Sequence, residues 1–229
     1  MFNSPLYKKE LLPEGGHMNF LDTIIQNARS GIGPCSDCPA YEETKGRYVN
    51  PGFSNFTGKI IFVTNEPSHF APGDPNHIFS WENYASWAEY NKVIKRKFFH
   101  EWPGGRWLQK HFLYPLSLSA SDLWIADSLK CQIKKMKNKA FKHCSNYLKE
   151  EIKIINPAAV VTLGAPATRR TLEALEVPAD IINNIKITED FGLFNAKTKW
   201  PVIISLHWAQ QSLKTSDFIP VVQKALSRF

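Results

Sequence analysis

The sequence predicts an α/β fold in three layers, α/β/α, around a central, mainly parallel four-stranded sheet. Three observations predict it. Four short apolar runs rich in β-branched residues, 59–63, 123–126, 159–163 and 202–206, are nearly continuous in hydrophobicity, as strands buried on both faces of a parallel sheet require. Stretches with helical spacing of apolar residues lie between those runs, which is the alternation of βα units. A chain of 229 residues with 43% hydrophobic content can bury one substantial core.

Residues 1–18 read as an N-terminal extension, where Gly15-Gly16-His17-Met18 resembles an engineered junction or an internal start, and carry no functional assignment. Residues 19–229 read as a single domain. An amphipathic helix is expected over 19–28, leading to the first cysteine pair. The first strand run, 59–63, ends in Thr64-Asn65-Glu66-Pro67-Ser68-His69. Apolar residues recur at helical spacing over 107–118, before the second strand run. Residues 144–155 place Tyr147, Leu148, Ile152 and Ile155 on one helical face, with Cys144 at the helix start and Pro157 closing it. Pro166 suits the first turn of a helix over 166–175. A hairpin or irregular excursion is expected over 181–199. The last strand run is followed by a closing helix over 218–226, with Pro220 near its start. No internal repeat or low-complexity tract interrupts the chain.

The formal net charge is +7, which favours polyanionic partners because neutralised phosphates release their counterions. No apolar run approaches the ~20 residues that cross a bilayer, and the N-terminus lacks the apolar segment of a secretory signal. A cytoplasmic monomer with no membrane partner is the expectation.

The residues able to do chemistry follow strand ends: Asn65 and Glu66 after the first, Asp127 to Cys131 after the second, Gly164 after the third, His207-Trp208 after the fourth. Ligands bind at the carboxyl ends of parallel strands, so these residues are expected on one rim. The four cysteines have a spacing of their own. Cys35-Ser36-Asp37-Cys38-Pro39 is a C-x-x-C pair able to present two thiolates, and Cys131 and Cys144 complete a set of four. One Cys₄ shell suits either zinc or an iron–sulfur cluster. Cys131 and Cys144 are too far apart to form a second zinc knuckle. Disulfides and unrelated buried thiols are the remaining alternatives.

Taken in order, these motifs resemble the iron–sulfur uracil-DNA glycosylases of the uracil-DNA glycosylase superfamily. The resemblance rests on Cys35-Ser36-Asp37-Cys38-Pro39, on Ile125-Ala126-Asp127-Ser128-Leu129-Lys130-Cys131, on the helix from Cys144, on Asn156-Pro157-Ala158-Ala159-Val160-Val161-Thr162-Leu163-Gly164, and on Leu206-His207. It implies a structural [4Fe–4S] cluster on Cys35, Cys38, Cys131 and Cys144, with zinc the lesser alternative. It implies DNA, single- or double-stranded, as partner, and hydrolysis of the N-glycosidic bond of a flipped, damaged base such as uracil.

By the same resemblance Glu66, His207 and Asn65 are the catalytic candidates, and Asp127, Phe79, Ser68 and His69 the substrate-binding ones. Where the family reads Gly-Glu-Ala-Pro-Gly, this chain has Thr64-Asn65-Glu66-Pro67-Ser68, so Asn65 takes the acidic position and a carboxylate follows at Glu66. His207-Trp208-Ala209 replaces His-Pro-Ser, and Asp127 replaces the base-reading Asn. An ionised Asp offers acceptors only, whereas uracil presents a donor beside an acceptor, so either Asp127 is protonated by burial, or the site takes a base other than uracil, or Asp127 has left the base-reading role. Residues 80–103 look like an insertion relative to the family. Its Trp81, Trp87, Lys92, Lys95, Arg96, Lys97, Phe98, Phe99 and Trp102 read as a solvated helix with an apolar face, with DNA contact the alternative.

The altered motifs keep a second hypothesis open, a non-enzymatic nucleic-acid binder on the same fold. A zinc-stabilised hydrolase or redox protein is a third. Radical chemistry with S-adenosylmethionine is disfavoured, because its C-x-x-x-C-x-x-C triplet is absent.

Overall fold

The computed structural model describes residues 14–45, 49–67, 83–133, 137–195, 197–209 and 215–229. Within them the chain runs α1 (Glu14–Ser30), α2 (Tyr41–Thr44), β1 (Phe53–Ser54), β2 (Ile60–Thr64), α3 (Trp87–Arg96), α4 (Pro103–Leu108), β3 (Leu123–Asp127) and α5 (Lys137–Ile155). It continues through β4 (Ala159–Leu163), α6 (Ala165–Ala174), α7 (Ala179–Asn184), β5 (Gly192–Phe194), β6 (Val202–Ser205) and α8 (Thr215–Leu226). The strands form one sheet in the order β1-β3-β2-β4-β6-β5. Its inner four, β3, β2, β4 and β6, are parallel and are the four read from the sequence.

Every residue of β2, β3, β4 and β6 is buried. Alternation within each strand decides which layer covers it. Ile60 and Phe62 of β2, Leu123 and Ile125 of β3 and Val161 of β4 face one core with Tyr90 and Ile94 of α3, Leu108 of α4 and Phe218 and Val222 of α8. Ile61 and Val63, Trp124 and Ala126, and Val160 face the opposite core with Phe141, Leu148 and Ile152 of α5 and Ala167 of α6. These two cores are the interfaces of a three-layer α/β/α sandwich.

The sheet has two edge strands beyond the four expected. β1 pairs antiparallel with β3 and β5 antiparallel with β6. At two and three residues they are too short to carry a period that a sequence pattern reveals. The excursion expected over 181–199 resolves into α7 and the edge strand β5. Cys144 lies within α5 rather than at its start. The buried stripe begins earlier, at Ala140 and Phe141, and runs through Cys144, Tyr147 and Leu148 to Ile155 at helical spacing. The C-terminal end of α5 is as read: Asn156 takes a left-handed conformation (φ 47°), its Oδ1 accepts from Trp200 Nε1 at 3.1 Å, and Pro157 follows.

α1 extends five residues upstream of the expected Asn19, and α8 begins before Pro220, which falls inside it. The helix read over 107–118 is instead α4 continuing into a π-helical turn, Gln109–Leu113. In the stretch read as an insertion, α3 and a π turn, Lys97–Glu101, drive Tyr90, Ile94, Phe98 and Phe99 into the core. Trp87 stacks on Trp124 at 5.9 Å between ring centroids. Its lysines Lys92, Lys95 and Lys97 and Arg96 remain at least partly exposed.

Candidate active site

The parallel pairing of β2 and β3 ends at Thr64 and Asp127, and backbone bonds continue it into the loops. Ser128 N donates to Thr64 O at 2.9 Å and Leu129 N to Asn65 O at 3.1 Å. Ser128 Oγ adds a third bond to Asn65 O at 2.6 Å. Asn65-Glu66 and Asp127-Ser128 are therefore held side by side. The end of β4 reaches the same rim through Gly164, whose N–H donates to Ser205 O at 2.8 Å. Gly164 has φ +88°, and a Cβ there would stand 3.1 Å from His207 Cβ. Only glycine combines that backbone with so close an approach of the next strand's end.

Between these ends lies a hollow of about 480 Å³, lined by Thr64, Asn65, Glu66, Pro67, Asp127 and His207 on its polar side. Phe53, Phe98, Trp102, Trp208, Ile125, Pro103 and Gly104 form the rest of its wall. Apolar walls with a few convergent polar groups, at this size, are the ordinary form of a small-molecule site. Phe53 meets Phe98 edge-on at 5.2 Å, and Phe98 meets Trp102 at 6.2 Å. Trp208 lies against Gly104, where a Cβ would come within 2.6 Å of its ring.

Asp127 is 4% exposed. One carboxyl oxygen accepts from the Thr64 hydroxyl, and Oδ2 accepts from Asn50 Nδ2 at 2.6 Å. Asn50 has no freedom to turn, because its Oδ1 already accepts from Tyr90 Oη at 2.9 Å and Gly52 N at 3.0 Å. Burial pushes the Asp127 carboxyl above its ordinary range, against the opposing pull of the Thr64 and Asn50 donors and of Lys130.

Asn65 and Glu66 belong to a second network. Arg170, on the buried face of α6 with Ala167, Thr171 and Ala174, donates from Nη1 to Asn65 Oδ1 at 2.6 Å and from Nη2 to Asn138 Oδ1 at 3.3 Å. Its guanidinium also lies over the Phe141 ring at 5.7 Å. With its oxygen so engaged, the Asn65 amide turns Nδ2 toward Glu66 Oε1, at 3.2 Å. Glu66, whose side chain is 6% exposed, also forms an ion pair with Lys137 at the start of α5.

His207 Nδ1 accepts from Ala209 N at 3.1 Å, so the neutral ring carries its proton on Nε2. Burial holds its pKa below the usual histidine value of 6.5. The ring packs on Trp208 with centroids 4.0 Å apart.

The four cysteines are all free and line one pocket with Ala28, Ala40, Thr44 and Ile133. No disulfide joins any two of them. The C-x-x-C pair is presented by a 3₁₀ turn, Gly33–Cys35, after α1. Cys131 follows β3 and bridges Val49, and Cys144 projects from α5. Burial raises the Cys35 thiol, raises Cys131 well above its ordinary value and pushes Cys144 up to about 12. Among the described residues, no group of three or more His, Cys, Asp and Glu side chains is gathered as a single-ion site. Beside the cysteines, Lys130 and Glu151 form an ion pair with side chains only 2% and 0% exposed, and Trp124 Nε1 donates to Glu151 Oε1 at 2.5 Å.

The structure thus brings Asn65, Glu66, Asp127 and His207 to one hollow and Cys35, Cys38, Cys131 and Cys144 to another. Ser68, His69 and Phe79 lie outside the described residues. Sequence reasoning missed Arg170, Lys137, Asn50, Tyr90 and the wall Phe53, and it placed Phe98 in the aromatic insertion without placing it in this hollow. For Arg170 a signal existed: it falls three residues after Ala167 and four before Ala174, an arginine on an apolar helical stripe. Phe53 comes from a segment distant in sequence, and no local pattern marks it, whereas Phe98 and Trp102 lie in the aromatic insertion and Trp208 follows the last strand.

Residues 51–226 match the family model described as the Uracil DNA glycosylase superfamily. No curated protein matches the chain.

Proposed function

The chain belongs to the uracil DNA glycosylase superfamily, and from that premise we propose that it is a DNA-repair glycosylase that takes a damaged base into the hollow at the rim of the sheet and hydrolyses its N-glycosidic bond. Membership supports a DNA glycosylase-type activity and contact with DNA. The observation that carries the finer reading is the convergence of Asn65, Glu66, Asp127 and His207 on one aromatic-walled hollow of about 480 Å³.

A base inside a duplex is out of reach, so the target nucleotide has to leave the stack. The aromatic walls offer faces for the extruded base, each such stack contributing about 1–3 kcal/mol. As the N-glycosidic bond breaks, its electron pair goes to the base nitrogen and positive charge grows on the sugar. His207, with its proton on Nε2, donates toward the departing base, where the negative charge develops. Glu66, fixed by Lys137 and Asn65, counters the positive sugar and orients the water whose oxygen attacks it. The water's proton ends on the base through solvent. Asp127, held by Thr64 and Asn50, sets which base edge is accepted. Burial favours the protonated form of Asp127, which offers a donor beside an acceptor as uracil's edge requires, whereas the ionised form, with acceptors only, suits a base other than uracil.

Cys35, Cys38, Cys131 and Cys144 are the residues that would hold a [4Fe–4S] cluster. Four free thiols around one pocket fit the Cys₄ donor set of such a group, whose role would be structural, with ligands from the turn after α1, from the β3–α5 connection and from α5. The domain comprises residues 19–229 in this reading.

One observation favours a second reading, a nucleic-acid binder without activity. Asn65, at the family's acidic position, is engaged by Arg170 rather than open to a water.

Incubating anaerobically purified protein with oligonucleotides carrying single uracil, hypoxanthine or xanthine residues tests the proposal. Alkali-labile abasic sites from at least one substrate, abolished by Glu66→Gln with His207→Ala, are expected. Tight DNA binding without release of any base would reject the enzyme in favour of the binder.

A further inference from the structure

The polar network around Asn65 has a centre that no motif identifies. Arg170 is 7% exposed, and its near neighbours are neutral acceptors supplied by three separate segments: Asn65 of the β2 loop at 2.6 Å, Asn138 of α5 at 3.3 Å, and Ser128 Oγ of the β3 loop at 3.5 Å. Among the described residues no carboxylate bonds Arg170 directly, and a buried guanidinium is costly unless its donors are well used. Its planar fork is suited to fixing several acceptors at once, as a lysine's single ammonium is not. The consequence for the site is geometric. An asparagine amide can rotate by half a turn and exchange oxygen for nitrogen. Arg170 removes that choice, because only the oxygen can accept from it. Nδ2 is then obliged to face Glu66 Oε1, at 3.2 Å.

We infer that Arg170 is a positioning residue, which sets the orientation of the Asn65 amide and through it the carboxylate of Glu66. Asn65 then acts as a bridge between Arg170 and Glu66 and does not itself act on water. The inference rests on the proposed function for the role of Glu66, but its geometric part stands apart from catalysis.

The test uses the full-length protein with Arg170→Lys, Asn65→Ala and the double variant, folding being checked by thermal denaturation. In single-turnover base release, Arg170→Lys lowers the maximal rate constant by about a hundredfold, the cost of misplacing a catalytic group by an ångström, with the half-saturating protein concentration little changed. In the Asn65→Ala background, where the bridge is already gone, the same substitution lowers that rate constant by less than about threefold. Equal loss in both backgrounds would overturn the inference, since Arg170 would then act without Asn65. A second readout needs no activity: hydrogen exchange of the Asn65 side-chain amide, followed by ¹⁵N NMR. Exchange is faster in Arg170→Lys if the arginine holds the amide, and an unchanged rate overturns the inference. Should no base be released by any protein, the glycosylase reading falls, and the exchange rate alone decides on Arg170.

Discussion

Replacing Lys130 by Met probes the buried charge pair that lies beneath both the rim and the cysteines. Lys130 and Glu151 are removed from water almost completely, and among the described residues Glu151 receives only Trp124 Nε1 besides the ammonium. Met matches the length of the lysine stem, so the change removes charge and leaves packing nearly intact. What remains is a buried carboxylate with one donor. Stripping one partner from a buried pair costs about 3–5 kcal/mol, and with about 2–4 °C per kcal/mol for a chain of this size the melting temperature falls by roughly 6–20 °C. Glu151→Leu in the same background removes the orphaned charge and leaves Trp124 Nε1 without its acceptor, at about 1–3 kcal/mol. The double variant is therefore more stable than Lys130→Met alone. Thermal and urea denaturation measure both. A Lys130→Met protein within about 1 kcal/mol of wild type would refute the reasoning, because it would mean that the pair is hydrated or already neutral.

Other outcomes follow from the same structure. Gly164→Ala forces a methyl group against His207 Cβ at a φ of +88°, so stability falls by about 1–3 kcal/mol and base release falls with it; an unchanged melting temperature contradicts the close approach. His207 has a folded pKa below its unfolded value of 6.5, so as pH drops through 6.5 the unfolded chain binds a proton that the folded chain refuses. Wild type accordingly loses stability on acidification in that window, and His207→Gln lacks this loss, as urea melts between pH 7 and pH 5 measure. If the four cysteines hold the proposed cluster, anaerobically purified protein is expected to contain iron and acid-labile sulfide, and Cys131→Ser or Cys144→Ser to lose both together with thermal stability. Zinc without iron would reject the cluster.

The sequence reading located the four parallel strands because each is buried on both faces, and a run such as 159–163 carries that burial as unbroken hydrophobicity. It located Gly164 and His207 because the ends of such strands converge whatever the loops contain. It did not reveal β1 and β5, whose two and three residues hold no period. Nor did it place Cys144 correctly within α5, since Lys137, Lys139 and Lys142 dilute the buried stripe of Ala140 and Phe141. The partners of the site residues were the least legible part. Asn50 reaches Asp127 from far along the chain, and Tyr90 in turn holds Asn50, and a pairing by side-chain hydrogen bonds leaves no spacing to read. Arg170 could have been suspected from its stripe, but its partner Asn65 lies 105 residues away.

A crystal structure of the protein with an oligonucleotide bearing a stable abasic analogue, soaked with free base, decides whether the hollow at the strand ends receives an extruded nucleotide. The abasic sugar is expected to turn out of the stack toward Glu66, with the base between the aromatic walls and within hydrogen-bonding reach of His207 and Asp127. DNA bound with its bases stacked and the hollow left untouched, or docked on another face of the molecule, would contradict that expectation.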